Sequence, residues 1–154
     1  RCDAVKLEGG SSILKIAHHL IKNKIPVMGH LGILPQSEKG KFKFKGKKFR
    51  ERKKILNDAI LLEKIGVFSI VLECVTKETA KKITNELKIP TIGIGSSLSC
   101  DGQILVTDDI LGLSGFYPKF IKRYANLERI IKMGVIKFRK DVRSKKFPKK
   151  KNSF

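Results

Sequence analysis

The sequence predicts an α/β chain in which parallel strands alternate with crossover helices, and three observations carry that expectation. A helix-to-strand junction recurs three times, in LIKNKIPVMGH (20–30), LEKIGVFSIVLE (62–73) and TNELKIPTIGIG (84–95). The apolar run after each junction lacks period-2 alternation, as in strands covered on both faces. Helical spacing of apolar residues fills the stretches between those runs.

The elements follow in order. A strand is expected over Ala4–Glu8, then a helix in which Ile13, Leu14, Ile16, Ala17, Leu20 and Ile21 share a face, started by Ser11 or Ser12. Pro26–His30 reads as the second strand. Ile55, Leu56, Ala59, Ile60 and Leu62 mark the second helix, and Val67–Glu73 the third strand. Thr76 is placed to cap a helix over Lys77–Leu87. Thr91–Gly95 and Gln103–Thr107 read as the last strands. Pro118 can open a helix at its first position, and Asn126 can cap a longer one to about Lys140. Residues 1–140 are expected to form one structural part, and 141–154 a basic, mobile tail.

Composition narrows the function classes. The chain has 154 residues, 41% of them apolar, enough for one domain with a core and too many for a disordered segment. No run of 18 apolar residues occurs, so neither a membrane-spanning helix nor a membrane partner is expected. RCDAVKLEGG has no apolar leader core and no Met, and the chain enters a strand almost at once. It is therefore expected to be the later part of a longer protein. The three cysteines, Cys2, Cys74 and Cys100, form no CxxC and no zinc spacing, which points to a reducing, cytoplasmic setting.

A net charge of +20 invites a nucleic-acid partner. Its distribution weighs against one. Lys39–Lys54 holds ten basic residues against Glu51 alone, and Lys137–Lys151 nine against Asp141 alone. Elsewhere 15 basic residues meet 12 acids. The charge thus sits in a loop-like insertion and a tail, and lysines filling exposed positions account for it. Within Gly40–Gly46, GKFKFKG, a short ribbon with Phe42 and Phe44 turned inward is preferred over base stacking.

The polar residues at strand ends carry the chemistry. Lys6 and Glu8 lie two apart on one strand and so share a face, which suits an anionic substrate beside a metal or, equally, a plain ion pair. His30 is flanked by Gly29 and Gly32, which let backbone come close to a ligand. Glu73 ends the apolar run VFSIVLE. A carboxylate that takes a proton beside a carbonyl works better with a raised pKa, and apolar surroundings raise it. A salt bridge at the rim is the simpler alternative. Cys74 points to the opposite side and packs among helices. Asp108 and Asp109 are read as opening a helix or turn rather than holding a metal. Asp101-Gly102 is a turn signal. No role falls to His18 or His19. Neither GxGxxG nor GxxxxGK[ST] occurs. Lys6, Glu8, His30 and Glu73, at the C-terminal ends of different strands, favour a barrel over an open doubly wound sheet, because barrel enzymes draw catalytic groups from that rim.

Several strings together resemble the ketopantoate hydroxymethyltransferase family: VKLEGG (5–10), IPVMGHLGILPQS (25–37), GKFKFKG (40–46), LECV (72–75), IPTIGIGSSLSCDGQILVTDDILGL (89–113) and PKF (118–120). Ile33-Leu34 and Ser96-Ser97 are mild departures. The resemblance implies a partial (β/α)8 TIM barrel, comprising about the last five β/α units. It implies Mg2+, with 5,10-methylenetetrahydrofolate as one-carbon donor to 3-methyl-2-oxobutanoate through a metal-stabilised enolate, and a homo-oligomer. Residue by residue, Glu73 is similar to the family's proton acceptor, Lys6 to its substrate-binding lysine and Glu8 to an acid at the magnesium site. His30 matches the histidine of GHLG, lining the site. The family's two metal-site aspartates belong upstream of Arg1, and Asp3 matches neither. Two rival classes stay open. One is another metal-dependent keto-acid barrel enzyme, which needs no pterin site. The other is a non-catalytic basic binding protein, whose nucleic-acid affinity would fall steeply with salt.

The 154 residues alone, supplied with Mg2+, are expected to form no ketopantoate; clear turnover in a product assay would refute this.

Overall fold

The computed structural model describes residues 2–36 and 43–153. Two units are distinct, one reaching to Ile104 and one starting at Leu105. The first holds a sheet of five parallel strands whose spatial order follows the chain: β1 (Val5–Glu8), β2 (Val27–Gly32), β3 (Ser69–Glu73), β4 (Thr91–Ile94) and β5 (Gly102–Gln103). Between them run α1 (Leu14–Lys22), α2 (Phe49–Lys64) and α3 (Lys77–Glu86). Sequential parallel order with one hand of crossover puts successive helices on the same side, which is how an arc of a barrel is wound.

The register separates two faces. Val27, Leu31, Ile70 and Leu72 turn toward the helices and pack with Ala17 of α1, Ile55, Ala59 and Leu62 of α2, and Ala80 and Ile83 of α3. Leu62, Ile70, Leu72 and Ile83 are fully buried. Each such side chain stabilises the unit by about 1.5–3 kcal/mol relative to exposure. The opposite face carries Lys6, Glu8, Met28, His30, Val71, Glu73, Ile92 and Ile94, since ladder partners in a parallel sheet project to the same side.

The helix starts differ from expectation in instructive ways. Neither serine caps α1. A short 3-10 turn, Ser11–Ile13, precedes it, and the Ser11 amide donates to Asp58 of α2 at 3.1 Å. The second helix begins at Phe49, well ahead of its apolar stripe, so residues 49–54 of the supposed basic loop are helical. Arg and Lys are good helix formers, and Glu51 at the third position accepts from the amides of Gly46 and Lys47 at 2.6 and 3.2 Å. Thr76 occupies the cap position of α3, yet its hydroxyl donates to the Gly46 carbonyl at 3.1 Å instead of capping.

The fifth strand is shorter than expected. It ends at Gln103, and Thr107–Leu111 forms α4 in the second unit, with Asp108 and Asp109 in its first turn as their charge favours. Asp101 serves the turn before β5. Its carboxylate accepts from the Thr91 amide and hydroxyl at 2.8 and 3.0 Å, which hold it below the usual carboxylate range.

No helix starts at Pro118. The segment makes one turn, with Ile121 N–H on the Pro118 carbonyl. The amides of Tyr124 and Ala125 then both go to the Ile110 carbonyl, drawing the chain back onto α4. Asn126 does cap α5 (Leu127–Arg143), accepting from the Arg129 amide at 3.2 Å. The Phe138 ring meets Phe147 edge-on at 5.5 Å. Phe42 lies outside the described residues, and Phe44 is 43% exposed, so the described half of the ribbon does not turn its ring inward. Among the described residues no helix is long and apolar enough to cross a membrane.

Gly32 holds two strands in contact. Its φ is +104°, and a Cβ there would sit 2.0 Å from the Glu73 carbonyl oxygen. Gly66 has φ +95° but far more room. Gly32→Ala should therefore cost about 2–4 kcal/mol, from the clash together with left-handed strain. Urea unfolding would show a larger fall in midpoint stability than for Gly66→Ala, and an equal fall would contradict the account.

Candidate active site

Three strand ends converge at one place. The ladder sets Glu8 of β1 opposite His30 of β2, and Gly32 of β2 opposite Glu73 of β3. All three side chains project to the face opposite the α1–α3 core described above. His30 lies between the two acids. Its Nε2 is 3.2 Å from Glu73 Oε2, and its Nδ1 is 3.7 Å from Glu8 Oε1. The imidazole is 1% exposed, and the carboxylates are 10% and 12% exposed. An apolar strand tolerates Glu73 for a local reason. The acid sits on the last rung, on the opposite side from Leu72, with a partly open carboxylate and an imidazole beside it.

The backbone around Glu73 is tied on both sides. Its carbonyl accepts from the Ile33 amide at 2.9 Å, and the next amide, that of Cys74, donates to the Ile94 carbonyl at 2.8 Å. The described part of the lysine-rich segment closes over this end. The Lys45 amide donates to the Cys74 carbonyl at 2.9 Å, and the Thr76 amide to the Lys45 carbonyl at 2.9 Å. The positive φ of Cys74, 51°, turns the chain out of the strand directly after the acid.

Glu8 is held from two directions. Its Oε2 accepts from the Gln36 amide at 3.2 Å, and the Gly9 amide donates to the His30 carbonyl at 3.0 Å. Asp58 then pins the following turn through Ser11 and is itself paired with Lys54 Nζ at 2.7 Å. A Cβ at Gly10 would lie 2.1 Å from Asp58 Oδ2. Gly10 therefore makes room for Asp58. Gly29, where a Cβ would meet Leu62 at 3.1 Å, makes room for α2, and Gly32 makes room for the Glu73 backbone. The sequence suggested ligand approach for the glycines around His30; the structure assigns them to chain packing. Asp58 was missed. An acid on the apolar stripe Ile55–Ala59–Leu62 was the signal that could have found it.

Lys6 is exposed and lies on the same face as Glu8, opposite Met28 and one alternation below the acid. Among the described residues it has no ion pair. His18 and His19 are exposed on α1, away from the strand ends. Among the described residues no group of three or more His, Cys, Asp or Glu could by itself hold a metal ion. Mg2+ asks for less, because it is commonly held by one or two carboxylates with substrate oxygens and water completing the octahedron. The hard, partly open oxygens of Glu8 fit that role as one ligand.

Comparison with known proteins points one way. The sequence model of the family described as Ketopantoate hydroxymethyltransferase matches residues 1–150. A protein of Pelagibacter ubique named 3-methyl-2-oxobutanoate hydroxymethyltransferase is 60% identical over 154 residues, 100% of this chain and 60% of its own. Proteins of the same name from Thermosipho melanesiensis and Clostridioides difficile are 52% and 48% identical, over 99% and 98% of this chain and 59% and 56% of their own. The chain thus spans between 56% and 60% of the length of these relatives.

Cys74 adjoins Glu73 and is 2% exposed. Burial, and then the charge of Glu73, push its thiol up to about 11. At pH 8 about one thiol in a thousand there is ionised, so alkylation should be slow. Mass mapping after iodoacetamide at pH 8 should show the exposed Cys2 labelled at least about tenfold faster than Cys74. Equal rates would show that Cys74 is neither buried nor raised.

Proposed function

The chain belongs to the ketopantoate hydroxymethyltransferase family, and on that premise we propose that it supplies the base-bearing part of an active site that hydroxymethylates a branched keto acid. The substrate is 3-methyl-2-oxobutanoate, the one-carbon donor 5,10-methylenetetrahydrofolate and the product 2-dehydropantoate. The observation that carries this reading is the meeting of Glu8 and Glu73 around one buried histidine, on the sheet face opposite the α1–α3 core.

Glu73 takes the proton from C3 of the keto acid. Its carboxylate combines a partly open edge with apolar strand neighbours, the setting in which a carboxylate is an effective base toward a carbon acid. The carbon nucleophile so formed joins the methylene carbon carried by the folate. One water per turnover supplies the new hydroxyl oxygen, and tetrahydrofolate leaves. Lys6, exposed on the same face, balances the substrate carboxylate. Glu8 would hold Mg2+ as one of its ligands, and the bound ion would supply positive charge that stabilises the negative charge developing on the keto acid. Val71, Ile92 and Ile94 project to the same face beside the acids.

Proton removal can be followed without the folate. In D2O with Mg2+, the full chain, with whatever precedes Arg1 in the native protein, should exchange the C3 hydrogen of 3-methyl-2-oxobutanoate for deuterium. Glu73→Gln should slow this by about 10²–10⁴-fold, the usual weight of general-base catalysis. Proton NMR of the substrate measures the rate. Exchange by Glu73→Gln at the parent rate would overturn the assignment.

A further inference from the structure

We propose that His30 is the positioning residue for Glu73, donating its Nε2 proton to that carboxylate. This rests on Glu73 being the base, and it adds how that base is held.

The ring is enclosed on all sides, at 1% exposure, yet neither of its nitrogens makes a hydrogen bond of good geometry among the described residues. Buried polar atoms left in that condition are rare and costly, and an apolar side chain would fill the same space without the penalty. The contact to Glu73 Oε2, 3.2 Å, lies at the limit of N–H···O bonding, whereas 3.7 Å to Glu8 Oε1 lies beyond it. The nearer acid is thus the acceptor.

His30 is also fixed in the way a positioning group must be. It sits inside β2, laddered to β1 and β3, and its carbonyl takes the Gly9 amide. The carboxylate is the mobile partner, and a small rotation completes the bond. Catalytic hydrogen bonds are often long or misaligned before substrate binds and tighten afterwards. Donation to one oxygen leaves the other oxygen of Glu73 as the proton acceptor, and it sets the plane in which that oxygen points at the substrate.

The test uses the full chain, with whatever precedes Arg1 natively, labelled with 15N at histidine. The His30 shifts should report a protonated Nε2. Glu73→Ala should move the Nε2 resonance, while Glu8→Gln should leave its proton in place. Two variants add a functional readout in the deuterium-exchange reaction. His30→Gln puts an amide N–H near the place of Nε2 and should keep kcat within about tenfold of the parent. His30→Leu removes the donor at similar volume and should lower kcat by about a hundredfold with little change in KM. An Nε2 without a proton, or equal rates for the Gln and Leu variants, would overturn the proposal. If the Leu variant does not fold, the 15N shifts and the Gln variant still decide. If the parent exchanges no deuterium, the base assignment fails, while the shifts still decide whether His30 bonds Glu73.

Discussion

Everything at this site depends on a ladder register that buries one imidazole between two carboxylates. Parallel pairing places Glu8 and His30 on the same rung and sets Glu73 on the rung of Gly32. A one-residue slip of β2 would send His30 to the helix side and bring Leu31 between the acids. The register is therefore defended elsewhere, by Val27, Leu31, Ile70 and Leu72 on the helix side, which would be expelled from the core by the same slip. The apolar core and the polar site are two sides of one constraint.

That arrangement leaves a group short of partners. The ring of His30 is buried with unmet nitrogens, a cost of about 1–3 kcal/mol for each polar atom left without a hydrogen bond. A fold selected only for stability would place a hydrocarbon there. The surrounding sequence concentrates its stabilising contacts nearby: Ile33 and Lys45 amides on the backbone of Glu73 and Cys74, Gln36 on Glu8, and Asp58 on the turn that follows Glu8. Rigid backbone combined with under-bonded side chains is the usual form of a preorganised site.

The glycines show how such rigidity is reached. Gly10, Gly29 and Gly32 admit an aspartate, a leucine and a carbonyl oxygen, in that order. Each brings an element closer than a side chain would permit, and each lies within two residues of Glu8 or His30. Close packing of the scaffold, rather than space left for ligand, explains the motif GHLG and the second glycine of LEGG.

The order of elements, the parallel class and the strand-end acids were legible in the sequence, because burial on two faces and helical spacing both leave periodic marks. Lys6 and Glu8 could be put on one face by counting alone, and Asn126 could be recognised as a cap because that bond spans three residues. Where sequence reading went astray, the deciding contact was distant. Ser11 is capped by Asp58, 47 positions away, Thr76 spends its hydroxyl on Gly46, and Tyr124 folds back on Ile110. His30 belongs with these, since nothing near it in the chain tells that its two nitrogens face Glu8 and Glu73. Local periodicity is written in neighbouring residues, so the sequence alone determined which segments pair and what chemistry ends them. Which side chains meet across the rungs is set by register and packing between remote segments, and only the tertiary structure decided it.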